Sequence, residues 1–544
     1  MKIALAQLNY HIGNFEFNTA QMIRAIEQAR TEGADLVVFA ELSVCGYPPR
    51  DLLEMDNFIE QCEVAAQQIA KACTDIACII GLPTRNPEIK GKDLFNSAYF
   101  IEDGLVKAQV NKALLPNYDV FDEYRYFEPS LSSSCIDFKG FKIALTICED
   151  LWNVNDNPLY VSEPMEQLSK EQPDLMINIA ASPFAYNHDE ERLQVLGDNC
   201  RKYRLPLFYV NQVGAHTEII FDGGSLVFDE KGDVLDEMPY FSESIRYYEF
   251  EGKAVKGLAP KSELRQTDIE QIHHALILGI RDYFQKSGFS KAILGLSGGI
   301  DSAVVCALAA EALGPENVMA VLMPSEYSTD HSIKDAMDLV NNLDCKHELI
   351  PIKAAAKTFD EMLKPVFKDL PFNIAEENIQ SRSRAIVVMA LSNKFGYILL
   401  NTSNKSECAV GYGTLYGDMA GAISVLGDVY KTQVFQLARY INRDREIIPV
   451  NSIVKPPSAE LRPGQKDTDS LPEYEILDRI LFHYIEEKKG PEAIIALGFE
   501  PALVRKIIKM VNLAEFKRYQ TPPILRISPK AFGMGRRMPI VGKY

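Results

Sequence analysis

Lys291-Ala-Ile-Leu-Gly-Leu-Ser-Gly-Gly-Ile-Asp-Ser302 runs from an aliphatic stretch through a glycine pair into Ala-Val-Val-Cys-Ala-Leu-Ala-Ala. This reads as a strand over 291–296, a tight turn and a helix over 303–313. Gly298 and Gly299 let the backbone approach an anion, and the helix start adds free N–H groups and the positive end of a dipole. A GTPase-type loop would read Gly-x-x-x-x-Gly-Lys-Ser/Thr, but this one has no lysine and carries Asp301. Carboxylate and polyphosphate repel each other, so Asp301 makes sense only with Mg²⁺ between them.

Upstream, Ile269, Ile272, Leu276, Ile280 and Tyr283 recur at helical spacing. Downstream, strands over 318–323, 347–352 and 397–402 alternate with helices over 330–342 and 374–394. That rhythm predicts right-handed crossovers and an open parallel sheet, with its ligand crevice at the carboxyl ends of the strands. Residues 251–267 have Gly, Pro and charge without a sustained period and are read as a linker. The division is then 1–250, linker 251–267, and 268–544. In the first part, strands are expected over 2–8, 34–40, 76–81, 97–101, 141–147, 175–179, 207–210 and 225–228, with helices over 18–31, 56–74 and 188–203. This is a second α/β domain, with a largely covered sheet.

The 544 residues carry 57 Lys+Arg against 75 Asp+Glu, a formal charge of −18, which argues against a nucleic-acid surface. With 47% hydrophobic and 24% charged residues, the chain has the proportions of a folded protein with small-molecule partners. No apolar run reaches membrane-spanning length and no signal peptide begins the chain, so no membrane partner and a cytoplasmic location are expected. The ten cysteines form no Cys-x-x-Cys pair and no zinc spacing, so most should be buried small hydrophobes.

Cys148 stands out by its neighbours: it follows Phe-Lys-Ile-Ala-Leu-Thr-Ile and precedes Glu-Asp-Leu-Trp, a strand-to-helix bend that exposes a side chain. Glu41 ends a similar strand, and Lys112 stands just past another; three strand ends of one sheet can converge. A carboxylate to take the thiol proton, a thiolate to attack a carbonyl and an ammonium to lower the thiol pKa form a complete set for amide cleavage. Phe39-Ala-Glu-Leu-Ser-Val-Cys-Gly-Tyr-Pro-Pro, Asn111-Lys-Ala-Leu-Leu-Pro-Asn-Tyr and Ile147-Cys-Glu-Asp-Leu-Trp, in that order, resemble the Glu-Lys-Cys triad of the nitrilase superfamily. Gly46-Tyr-Pro-Pro-Arg-Asp-Leu-Leu and Tyr118-Asp-Val-Phe-Asp-Glu-Tyr-Arg-Tyr-Phe resemble its glutaminase branch. The resemblance implies an αββα sandwich, Glu41 as base, Lys112 as charge stabiliser and Cys148 as nucleophile. It also implies Tyr118, Glu123 and Ser182 in the glutamine pocket, with His188 where the family commonly has Lys.

The word Ser-Gly-Gly-Ile-Asp-Ser resembles the pyrophosphate loop of the ATP pyrophosphatases, of Rossmann-like parallel-sheet fold (adenine nucleotide alpha hydrolases). Glu377-Asn-Ile-Gln-Ser-Arg-Ser-Arg, Asn401-Thr-Ser-Asn-Lys-Ser-Glu, Gly413-Thr-Leu-Tyr-Gly-Asp-Met, Asp428-Val-Tyr-Lys-Thr, Lys455-Pro-Pro-Ser-Ala-Glu-Leu and Phe516-Lys-Arg-Tyr-Gln narrow it to the NAD synthetases. Both halves together resemble the glutamine-dependent members, which join ATP, deamido-NAD(+) and glutamine nitrogen. What this implies for ATP is a loop of Gly295, Leu296, Ser297, Gly298, Gly299, Ile300, Asp301 and Ser302, with Ser325, Thr402, Lys431 and Ser458. It implies Asp301 and Glu407 for Mg²⁺, and Asn378, Arg382, Glu407, Asp418 and Lys517 for deamido-NAD(+). Leu415 stands where the short ammonia-dependent enzymes commonly have Lys. A homo-oligomer, dimer-based and often octameric in the family, and a protected route for ammonia are implied as well.

Overall fold

The computed structural model describes residues 1–542 except 89, 155–158 and 259–265. The chain divides into two compact units, Met1–Arg265 and Gln266–Tyr544.

The first unit has two large sheets. One runs Ala254–Lys256, Ser244–Glu251, Lys2–Gln7, Leu36–Val38, Ala77–Arg85, Leu94–Glu102, Leu105–Asn111; the other runs Val234–Glu237, Leu226–Phe228, Leu207–Asn211, Leu175–Ala180, Phe141–Ile147, Ile136–Phe138. Their inner faces share one core, in which Leu5, Val38, Ile79 and Phe100 of the first sheet join Ile143, Leu145, Ile177 and Phe208 of the second. Apolar side chains on both sides of the central strands exclude water, as buried parallel strands require. Helices Phe15–Thr31, Asp56–Ala72 and His188–Tyr203 each bury one face and present charge on the other; the buried face of Asp56–Ala72 is wholly apolar, while that of His188–Tyr203 includes Arg192 and Asn199.

The strand whose end the sequence placed just before Lys112 spans Leu105–Asn111, with Leu105 and Val106 exposed. The segment read as a linker from residue 251 contributes Ala254–Lys256, paired antiparallel with Ser244–Glu251. Residues 259–265 of that reading lie outside the described residues.

The second unit is built on five parallel strands ordered Lys346–Leu349, Val318–Leu322, Ala292–Gly295, Ile398–Asn401, Ile423–Ser424. The chain winds outward in one direction from Ala292–Gly295, then returns to lay Ile398–Asn401 on its other side. The switch point between those two strands opens the crevice that the alternation predicts. The helix behind the glycine turn begins at Ile300, earlier than read, with Gly299 as its N-cap. Among the described residues, no helix is long and apolar enough to cross a membrane.

Candidate active sites

Glu41 and Lys112 follow strands of the seven-stranded sheet, whereas Cys148 follows Phe141–Ile147 of the six-stranded one. The expectation that one sheet supplies all three is therefore corrected: the residues come from both layers of the sandwich, Glu41 and Lys112 from one and Cys148 from the other. All three are buried, Glu41 and Lys112 completely.

Lys112 Nζ donates to Glu41 Oε1 at 2.7 Å and to both Glu123 oxygens at 2.9 Å. Asn96 Nδ2 donates to Glu41 Oε1 at 2.7 Å, and the Ala181 N–H to Glu41 Oε2 at 3.0 Å. Tyr47 OH donates to Glu123 Oε1 at 2.8 Å. Every buried charge thus has an opposite charge and further hydrogen bonds, the condition for ions to survive in a dry interior.

Burial alone would pull the Lys112 ammonium down, but Glu123 and Glu41 together hold it well above its ordinary range. Burial pushes the Glu123 carboxyl up to about 7, against the pull of Lys112. The Cys148 thiol is also raised, first by burial and then by Glu41, with Lys112 opposing. The sequence reading had the ammonium lowering the thiol pKa, and Lys112 does act in that direction; the net direction is upward because burial, and then Glu41, outweigh it. That direction favours the neutral thiol at Cys148.

Cys148 has φ 44°, the left-handed region that a residue with a side chain occupies only under constraint. The constraint is Asp150, whose carboxylate accepts N–H bonds from Ile147 at 3.0 Å, Ala113 at 3.0 Å and Leu114 at 2.9 Å. One buried acid thereby ties the Cys148 bend to the segment after Lys112. Desolvation pushes Asp150 up to about 6 despite these bonds.

Of the residues implied for glutamine, Tyr118 donates to Glu149 Oε1 at 2.9 Å, as does Tyr160. His188 starts its helix and stacks on Trp152, centroids 5.1 Å apart at 7°. Ser182 is buried and clasped by Asn211, which accepts its N–H at 2.9 Å and donates to its carbonyl at 3.1 Å. Glu123 has both oxygens engaged by Lys112, so it sits with the triad. Asn96, Asp150 and Asn211 escaped the sequence reading: Asp150 stands in a quoted word, but nothing local marks an Asn inside a strand.

In the second unit a cavity of about 310 Å³ opens at the switch point. Gly295, Leu296, Ser297, Gly299, Ile300, Asp301, Ser302, Thr402, Lys431 and Ser458 line it, as do Glu407 and Asp418. Gly298 stands behind the wall at φ 81°, where an added Cβ would meet the Ser332 carbonyl oxygen at 2.1 Å. Ser325 is not in the wall either; its N–H donates to Ser328 Oγ at 3.0 Å, and Ser328 lines the cavity.

Lys431 Nζ contacts Asp301 Oδ2 and stands 3.9 Å from Glu407 Oε1. Asn404 Nδ2 donates to the other Asp301 oxygen at 2.9 Å. Burial and the Asp301 charge push Glu407 well above the carboxylate range, with Lys431 opposing. Among the described residues, no group of three His, Cys, Asp or Glu could hold a metal ion. Two carboxylates beside an anion loop nevertheless fit Mg²⁺, which takes one or two carboxylates and completes its shell with phosphate oxygen and water.

Asn378, Arg382 and Lys517 converge with Asp418 on the loop Gly411–Asp418. Lys517 Nζ donates to the Gly411 and Gly413 carbonyls at 2.8 Å each, and Arg382 Nε to the Leu415 carbonyl at 3.2 Å. Asn378 Oδ1 accepts from Thr414 Oγ1 at 2.7 Å, and Asp418 Oδ1 from the Thr414 N–H at 2.6 Å. Arg384, two residues after Arg382, lines the cavity and donates to the Met323 carbonyl at 3.1 Å.

Residues 2–257 match the carbon-nitrogen hydrolase family, and residues 272–521 match the NAD synthase family. A Synechocystis glutamine-dependent NAD(+) synthetase is 47% identical over 99% of this chain and 98% of its own; one from Acinetobacter baylyi is 43% identical with the same coverage. The structure of an Acinetobacter baumannii glutamine-dependent NAD+ synthetase in complex with adenosine diphosphate superposes with a TM-score of 0.79 at 39% identity, covering 99% of this chain and 98% of that one. Fold and family matches together define a carbon-nitrogen hydrolase fused to an NAD synthase. With identity of this order sustained end to end, the chain belongs to the glutamine-dependent NAD(+) synthetase family and is a ligase.

Proposed function

We propose that glutamine-dependent NAD(+) synthesis by this chain is divided between the two sites, with the following residues in charge of each step. Cys148 Sγ attacks the glutamine side-chain amide, its proton passing to Glu41, while Lys112 faces the oxyanion of the tetrahedral intermediate. Glu41 returns that proton to the departing nitrogen, which leaves as ammonia. It then takes a proton from the water that cleaves the thioester to glutamate. Tyr118, Ser182 and His188 hold the glutamine, and Glu123 orients Lys112. The observation that carries this reading is the Lys112–Glu41 pair at 2.7 Å, a base and a cation enclosed with the thiol of Cys148.

In the second unit the nicotinate carboxylate of deamido-NAD(+) attacks the α-phosphorus of ATP and pyrophosphate departs. Ammonia then displaces AMP, leaving the carboxamide. The 295–302 loop, Thr402, Lys431 and Ser458 hold the phosphates, and Ser325 supports the nucleoside end through Ser328. Asn378, Arg382, Asp418 and Lys517 shape the deamido-NAD(+) side. Asp301 and Glu407 would hold Mg²⁺, which supplies charge neutralisation for the leaving pyrophosphate. Lys431 then exchanges its carboxylate partners for phosphate oxygens. The active form is a cytoplasmic homo-oligomer built from dimers, up to an octamer.

The test is AMP and pyrophosphate release with ATP, Mg²⁺, deamido-NAD(+) and either glutamine or ammonium. Equimolar AMP and NAD(+) with both nitrogen donors is the expected result. AMP formed only with another acceptor would point to a different amidotransferase, and no AMP at all would leave a nucleotide-binding amidase.

A further inference from the structure

Beyond the residues placed in the two sites, one buried histidine faces the glutaminase machinery from behind. His216 ends the strand Val213–His216, the first arm of a hairpin completed by Ile219–Asp222. Its Nε2 lies 2.8 Å from the Tyr10 carbonyl oxygen, and its Nδ1 contacts the Tyr47 carbonyl oxygen. Both partners are backbone carbonyls, which only accept. A neutral imidazole has one N–H, so it satisfies one of them; the imidazolium has two and satisfies both.

Tyr47 is not a bystander. Its hydroxyl donates to Glu123 Oε1 at 2.8 Å, and Glu123 in turn takes two bonds from Lys112. Its ring packs edge-on against Phe221 of the same hairpin, centroids 6.1 Å apart. The hairpin therefore grips Tyr47 at ring and carbonyl while the hydroxyl supports the ion-pair cluster. The Tyr10 carbonyl belongs to the segment that continues the first strand of the sandwich, so His216 binds two separate chain segments with one ring.

We propose that His216, carrying both N–H groups, is a positioning residue for glutamine hydrolysis: it clamps Tyr47, and through it the Glu123–Lys112 pair. This rests on the assignment of glutamine hydrolysis to Cys148. The other titratable or charged groups on the segments meeting at the ring are Tyr10, His11, Tyr47, Arg50, Glu218 and Asp222; Arg50 and Glu218 pair at 4.0 Å, and Asp222 is engaged by Arg192. Because the clamp needs the protonated ring, it holds at lower pH and loosens as pH rises.

The test compares His216→Phe, which keeps a ring without donors, with His216→Gln, whose amide nitrogen carries two N–H groups. Glutamine-supported kcat of His216→Phe is expected to fall about tenfold, with glutamine KM little changed and ammonia-supported synthesis at the wild-type rate. His216→Gln is expected to restore much of that kcat and to lose the alkaline decline of the wild-type profile. If His216→Phe melts early, the pH comparison of His216→Gln with wild type decides alone. A wild-type kcat in His216→Phe, or superposable pH profiles for wild type and His216→Gln, would overturn the clamp. Cys148→Ala run alongside separates the two readings: if it keeps glutamine-supported synthesis, the assignment of the glutaminase fails, not the role of His216.

Discussion

Each candidate site holds a lysine between two carboxylates: Lys112 between Glu41 and Glu123, Lys431 between Asp301 and Glu407. Their surroundings differ. The first trio is sealed in the sandwich, with side chains 0%, 1% and 5% exposed; in the second, the lysine is 2% exposed but both acids are 18% exposed at a cavity wall. A sealed trio can keep its pairing through a catalytic cycle. One at a cavity can open when a polyanion and a cation enter, so under the proposed roles the same grouping acts as a fixed catalyst in one unit and a displaceable one in the other.

The largest expected effect breaks the comparison at the nucleophile. Cys148→Ala should lower glutamine-supported synthesis by about 10⁴-fold or more, as removal of a covalent nucleophile does, and leave ammonia-supported synthesis intact. Loss of both activities together would mean that the sites are not separable. Next, Asp301→Ala should reduce AMP and pyrophosphate formation by about 10²–10³-fold while glutamine hydrolysis persists; unchanged AMP formation would remove Asp301 from the phosphate site.

The two lysines sharpen the contrast in stability. Lys112→Met strands two buried carboxylates and should cost about 3–5 kcal/mol in denaturant unfolding of the first unit. Lys431→Met should cost the second unit less, about 1–3 kcal/mol, because its acids reach solvent. Equal losses would erase the distinction drawn between sealed and open trios.

The smallest effect is a shape of profile. Glu123 titrates at about 7, so below that pH it is protonated and Lys112 loses one of its two anionic partners. Glutamine hydrolysis should therefore rise through pH 7, and Glu123→Gln should flatten that rise at a lower plateau, as seen in kcat against pH.

How much of this was legible follows from where the information lies along the chain. The 291–302 word is local, so its strand, turn and helix, and the crevice beside them, could be read directly. Strands such as Phe141–Ile147 and the helix His188–Tyr203 matched their expected bounds because burial imposes a clear period on them. Glu41, Lys112 and Cys148 were singled out in the sequence, but not the layers they come from, since strand periodicity does not say which sheet a strand joins. Asn96 and Asp150 act through partners 55 and 37 positions away, a relation that no local pattern carries. The sign of the Cys148 shift was missed for the same reason. It depends first on how deeply the fold buries the thiol and then on Glu41 beside it, and neither shows along the chain.

The most direct test supplies glutamine labelled with ¹⁵N in its side-chain amide, together with ATP, Mg²⁺ and deamido-NAD(+), and reads product mass and AMP together. The account predicts NAD(+) carrying the label in its carboxamide, with AMP formed in equal amount. Unlabelled NAD(+), or label incorporated without AMP, would contradict it.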